Sequence, residues 1–148
     1  MVNQILPKKH EFKPSFVESH ITEFVSLQEI LANTITDTNG FKTFRVLKHG
    51  RTTGWTAGVS NEIQSNIQRE TDRITREWCI VDLPEGVNFG KKGDSGAAVV
   101  DYSGRLVGFL HGAAASDSHG GMGVTYITPI EWVFENIEAT LGVKVALD

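Results

Sequence analysis

Cysteine is nearly missing from this chain: Cys79 stands alone in 148 residues. No internal disulfide can form, which excludes the small stapled scaffolds of secreted proteins. Basic charge is also short. Fourteen Lys and Arg face 18 Asp and Glu, giving a formal charge of -4 and a pI near 5.7, the wrong balance for a nucleic-acid binder. No apolar run approaches the ~18 residues that span a membrane. The stretch from Met1 to Phe16 lacks the apolar centre of a signal peptide. These absences together predict an intracellular, cytoplasmic protein with no membrane and no nucleic-acid partner. Glycine is scarce only at the start. Gly40 is the sole glycine in residues 1–40, and the other fourteen fall later.

What remains is ordinary globular material, 40% apolar and 22% charged. The length predicts one domain, able to bury about 68–70% of its unfolded surface. The four prolines, at 7, 14, 84 and 129, lie near ends or turns, and no repeat or low-complexity tract appears.

Two parts differ in character. Ile21, Phe24, Val25, Gln28 and Leu31 follow helical spacing and predict a helix within 20–33. Ser15 with Glu18 and Ser26 with Glu29 both have capping-box spacing, which leaves its start open. From Phe41 the pattern is of short strands: Phe41 to Leu47, a hairpin around Trp55 punctuated by Gly54 and Gly58, and Arg76 to Leu83 with Trp78 and Ile80 on one face. Ala97 to Tyr102 and Arg105 to Leu110 follow, joined at Ser103-Gly104, and then Gly123 to Thr128. Thr128, Pro129 and Glu131 read as N-cap, first and third positions of a helix over 129–141. Its apolar stripe is Ile130, Val133, Phe134, Ile137 and Leu141, and Gly142 is its stop. The pattern predicts an antiparallel barrel or sandwich closed by a terminal helix.

Gly93-Asp94-Ser95-Gly96 is the main candidate for chemistry. A serine hydroxyl is a weak nucleophile that needs a base and an oxyanion site. Flanking glycines let the backbone turn sharply and aim N–H groups into a cleft.

The set formed by this motif, the hairpin of Ala97 to Leu110, and Val124 to Ile130 leading into the last helix resembles the chymotrypsin/trypsin-like serine peptidases. The likeness is to their C-terminal barrel. Lys48 to Gly58 and Arg76-Glu-Trp-Cys-Ile80 resemble the form found in fungal trypsin-like peptidases. The resemblance covers roughly 41–148. It implies an all-β fold, a six-stranded antiparallel barrel that is the C-terminal half of a double barrel. Residues 1–40 would be an inter-barrel connector with a short helix, and 41–148 the serine-bearing barrel with its C-terminal helix. Ser95 would be the acyl-forming nucleophile, and the N–H groups of Gly93 and Ser95 the oxyanion hole. Phe89 would lie near the base of the pocket for the residue before the cleaved bond. His111, Gly112 and Ala113 would line the substrate groove, and His111 would favour an acidic side chain there. No cofactor or metal is implied.

The departures are as specific. Ala97 stands where the family usually has glycine, and no disulfide braces the region. Asp94, which in many members pairs with a freed N-terminus, needs another partner. The family's catalytic His and Asp come from a first barrel, and about 40 residues are too few for one. The chain thus reads as a serine half that needs a peptide substrate and a first-barrel segment or second copy over its exposed face. The alternative is an inert interaction module.

Other readings are weaker. His10, His20 and His49 have no active-site context and read as surface residues. His111, Asp117 and His119 match no zinc spacing. Gly86 to Lys91 has the wrong spacing for a phosphate loop. Trp55, Trp78 and Trp132 read as core or barrel-edge aromatics. An α/β-hydrolase elbow would need another glycine at 97 and a following helix.

Overall fold

The computed structural model describes residues 20–32, 35, 36, 38–68, 74–83, 87–114 and 123–147. Its elements are α1 (Leu27–Ala32), β1 (Phe44–Gly50), β2 (Gly54–Gln68), β3 (Ile74–Leu83), β4 (Ala98–Asp101), β5 (Leu106–Ala114), β6 (Val124–Pro129) and α2 (Ile130–Leu141). The strands form one closed antiparallel barrel in the order β1-β2-β3-β6-β5-β4, with β4 returning to β1. Closure leaves no open sheet edge around the ring, and the expected six-stranded barrel with its terminal helix is what forms.

Alternation fills the barrel. Val46, Trp78, Ile80, Phe89, Val99, Val107, Leu110 and Ile127 make one buried cluster, joined from outside the sheet by Val25 and Ile30. Gly58 serves this packing instead of the turn foreseen from its sequence. It pairs with Val46 and Asp82 inside the ladder, and a Cβ there would lie 2.3 Å from Ile80. The β1–β2 reversal comes earlier, at Arg51–Thr53, and Gly54 ends it at φ 64°. Trp55 is already in β2, its ring 5.1 Å from that of its cross-strand partner His49.

Both helices depart in part from their sequence patterns. α1 begins at Leu27, because Ser26 and Glu29 form the capping box: Glu29 N–H donates to Ser26 Oγ, and Ser26 N–H donates to Glu29 Oε2. Ile21, Phe24 and Val25 lie before the helix. Val25 N–H and Glu23 C=O instead pair with Leu106 across the sheet edge. The Ser15 box lies outside the described residues.

α2 starts at Ile130 with Pro129 as its N-cap, so Thr128 remains in β6. Glu131 does not close a box on its own helix. Its Oε2 accepts the N–H of Leu27 at 2.8 Å and ties the start of α1 to the start of α2. Gly142 ends α2 in the left-handed region at φ 67°. The apolar stripe is only half used: Ile130 is buried and Phe134 meets Phe24 edge-on at 5.4 Å, whereas Leu141 stays 66% exposed.

Candidate functional site

The segment entering β4 makes a tight corner. Gly93 has φ 101° and Gly96 φ 84°, both in the region that costs an L-residue roughly 1–2 kcal/mol. A Cβ on Gly93 would also sit 2.4 Å from Thr52 Oγ1. Ser95 lies between them and is exposed. Asp94 N–H donates to Lys91 C=O, Gly96 N–H to Leu110 C=O and Ala97 N–H to Asp94 C=O. The N–H groups of Gly93 and Ser95 take part in none of these bonds. Ser95 Oγ donates to the carbonyl of His111 at 3.4 Å.

Asp94 is the anchor of the corner. Its Oδ1 accepts N–H bonds from Thr52 and Thr53, and its Oδ2 accepts from Lys91 N–H at 3.0 Å and from the Thr53 hydroxyl at 2.7 Å. Lys48 Nζ lies 3.5 Å from Oδ2, and neither side chain of this pair is exposed. Nζ also donates to Thr53 Oγ1 and faces the Phe89 ring. Burial alone would raise the Asp94 pKa. The Thr53 hydroxyl, the Thr52 and Lys91 amides and the Lys48 charge outweigh it and hold the carboxyl well below its usual range. Burial pulls Lys48 down from the ordinary lysine range, against the pull of Asp94. Gly50 makes room for the pair, since a Cβ there would meet Asp94 Oδ1 at 2.3 Å. Asp94 therefore has the partner its sequence context left open, and that partner is a lysine from β1.

His111 sits at a break in β5. The register with β6 steps from Leu110↔Ile127 to Gly112↔Tyr126, leaving His111 as the extra residue of a bulge. Its Nδ1 lies 3.3 Å from both Glu77 Oε1 and Thr128 Oγ1. Gly112 and Ala113 pair with Tyr126 and Thr125 on one side. The ladder with β4 stops at Ala98↔Phe109, so the other edge of 112–113 meets no strand among the described residues. Phe89, in contrast, is not placed to touch a substrate. Its ring is fully buried in the barrel core, and its carbonyl accepts the Thr56 hydroxyl.

The remaining candidates lie elsewhere. His20 and His49 line a cavity of about 450 Å³ with Glu23, Trp55, Val100 and Arg105, whose described walls do not include Ser95. His10, Gly86, Asp117 and His119 fall outside the described residues, where no group of three His, Cys, Asp or Glu poised to hold a metal is found. Trp78 is in the core, and Trp132 is 42% exposed on α2. No described helix is long and apolar enough to cross a membrane.

Two buried groups escaped the sequence reading, Lys48 and Glu77. Lys48 carried a signal: in β1 it shares the inward parity of Phe44 and Val46, where a lysine demands a counter-charge. Glu77 beside Trp78 looked like the exposed half of an alternating strand, yet both are buried.

Neither a known sequence family nor a curated protein matches the chain. Among solved structures, a chymotrypsin of Cellulomonas bogoriensis is similar over 71% of this chain and 50% of its own, at 20% identity and a TM-score of 0.47. The chain spans about half the length of that protein.

Proposed function

We propose that the chain is the serine-bearing barrel of a trypsin-like serine endopeptidase, with Ser95 as its acyl-forming nucleophile. The observation that supports this most is the corner itself: an exposed hydroxyl between two left-handed glycines, pinned from below by the buried Asp94–Lys48 pair. The N–H groups of Gly93 and Ser95 are its oxyanion donors. The free edge of Gly112 and Ala113 is suited to pairing with an extended peptide. Oxyanion binding alone gives roughly 10³–10⁴ over water, so peptide hydrolysis at full rate takes a His and Asp from a first barrel. The lone Cys79 fits an intracellular setting.

The second reading, an inert interaction module that binds a partner or a second copy, draws on apolar exposure along α2 and beyond it. Trp132, Ile137, Leu141 and Val143 are 42%, 37%, 66% and 54% exposed. A fluorophosphonate probe separates the two. Incubated with the purified chain, alone and with a His/Asp-bearing first barrel, it is expected to label Ser95 and to leave Ser95→Ala unlabelled. Absence of Ser95-dependent labelling under both conditions overturns the peptidase reading and leaves the interaction module.

A further inference from the structure

A buried carboxylate without hydrogen bonds is costly, and Glu77 is one. Its side chain is 1% exposed, and neither oxygen has a hydrogen-bond partner among the described residues. What faces it is the ring of His111, with Nδ1 3.3 Å from Oε1. A carboxylate can only accept, so the proton between them belongs to Nδ1. The lone pair of the imidazole is then on Nε2, the tautomer a general base requires. Thr128 Oγ1, also 3.3 Å from Nδ1, steadies the ring from β6. The ring is 22% exposed, unlike the carboxylate behind it.

This imidazole belongs to the residue whose carbonyl already holds the Ser95 hydroxyl, at 3.4 Å. The bulge at His111 breaks the alternation of β5 at that point, and bulges re-aim side chains beside active sites. Hydroxyl, imidazole and buried carboxylate thus converge from the β4 corner, β5 and β3 of one barrel.

We propose that His111, oriented by Glu77, is a proton acceptor for Ser95, giving this barrel a partner-independent acyl-transfer activity toward activated esters and phosphonates. The inference rests on the reading of Ser95 as nucleophile and adds a second activity to it. Ser95 Oγ attacks the ester carbonyl carbon while its proton passes to His111 Nε2. The bond to the leaving oxygen breaks, and a p-nitrophenolate departs with the electron pair, needing no acid. His111 then releases the proton to solvent. Water attacks the acyl-serine and gives a proton to the same nitrogen, which returns it to Ser95 Oγ as the carboxylic acid leaves. An amide would need its poor leaving amine protonated as it departs, which is the work left to a first barrel.

Hydrolysis of p-nitrophenyl acetate by the isolated chain, with fluorophosphonate labelling alongside, tests this. Wild type is compared with Ser95→Ala, His111→Ala, His111→Gln and Glu77→Gln, each checked for fold by near-ultraviolet circular dichroism. The expected rate depends on Ser95 and falls about 100-fold or more in either His111 variant, in line with the loss of a general base. Added imidazole restores part of it in His111→Ala. Glu77 is a positioning residue, so Glu77→Gln slows the wild-type background and has no effect in the His111→Ala background. A Ser95-dependent rate that folded His111→Gln retains, or a His111→Ala rate that imidazole does not raise, overturns the proposal and leaves Ser95 as nucleophile. Labelling that appears only with a first barrel has the same meaning. No Ser95-dependent reaction in any condition defeats both.

Discussion

Two buried carboxylates flank the serine corner, and their surroundings are opposite. Asp94 receives three backbone N–H bonds, a hydroxyl and a lysine charge. Glu77 receives no hydrogen bond and faces a single histidine nitrogen. The first arrangement satisfies every lone pair it can and makes the corner rigid. The second keeps an ill-solvated charge beside an imidazole, which suits proton handling and adds nothing to stability. Burial of a charge thus has two uses here, and the hydrogen-bond inventory tells them apart.

The sharpest way to break this contrast is to remove a partner from each side. Lys48→Met strips Asp94 of its cation in a site with no solvent access, and is expected to destabilise the fold by about 3–5 kcal/mol in a urea titration. It should also slow labelling of Ser95, since the corner loses its anchor. Gly50→Ala strikes the same node sterically, forcing a methyl against Asp94 Oδ1, at a cost of about 1–3 kcal/mol. Glu77→Gln should move the other way. Removing an unsatisfied buried charge while keeping the shape is expected to stabilise by about 1 kcal/mol, visible as a higher urea midpoint. Destabilisation by Glu77→Gln as large as that of Lys48→Met would erase the distinction between the two sites.

Acid sharpens it further. The Asp94 pKa is depressed, so its stabilisation is complete above the ordinary carboxylate range near 3.9 and is lost as pH falls toward its native value. Glu29 gives the smallest effect. Held down to about 2, first by the Ser26 amide and then by Arg105, it anchors α1 to the β4–β5 turn. That anchor is present above pH 4.5 and weakens between there and about 2. Amide exchange should show α1 loosening in this window, in wild type but not further in Glu29→Gln.

The barrel was legible because its signals are local and repeated: alternating apolar residues, glycine turns, a serine between glycines. The end of α2 was legible for the same reason, since Gly142 at a positive φ is a single-residue device. What escaped depends on residues distant in sequence. Ile21, Phe24 and Val25 have helical spacing, but the edge of Leu106 captures that stretch in extended form. Glu131 has capping-box spacing, but the start of α1 claims its carboxylate. Phe89 looked like pocket lining, yet closure of the barrel puts it in the core. Glu77 meets His111 only through the pairing of β3 and β5 with β6, which no spacing in the chain encodes.

Mass spectrometry of the purified chain after fluorophosphonate treatment bears most directly on the role of the corner. A single adduct that maps to Ser95 and vanishes in Ser95→Ala is the expected result. An unmodified chain, or an adduct on another residue that Ser95→Ala leaves in place, would contradict it.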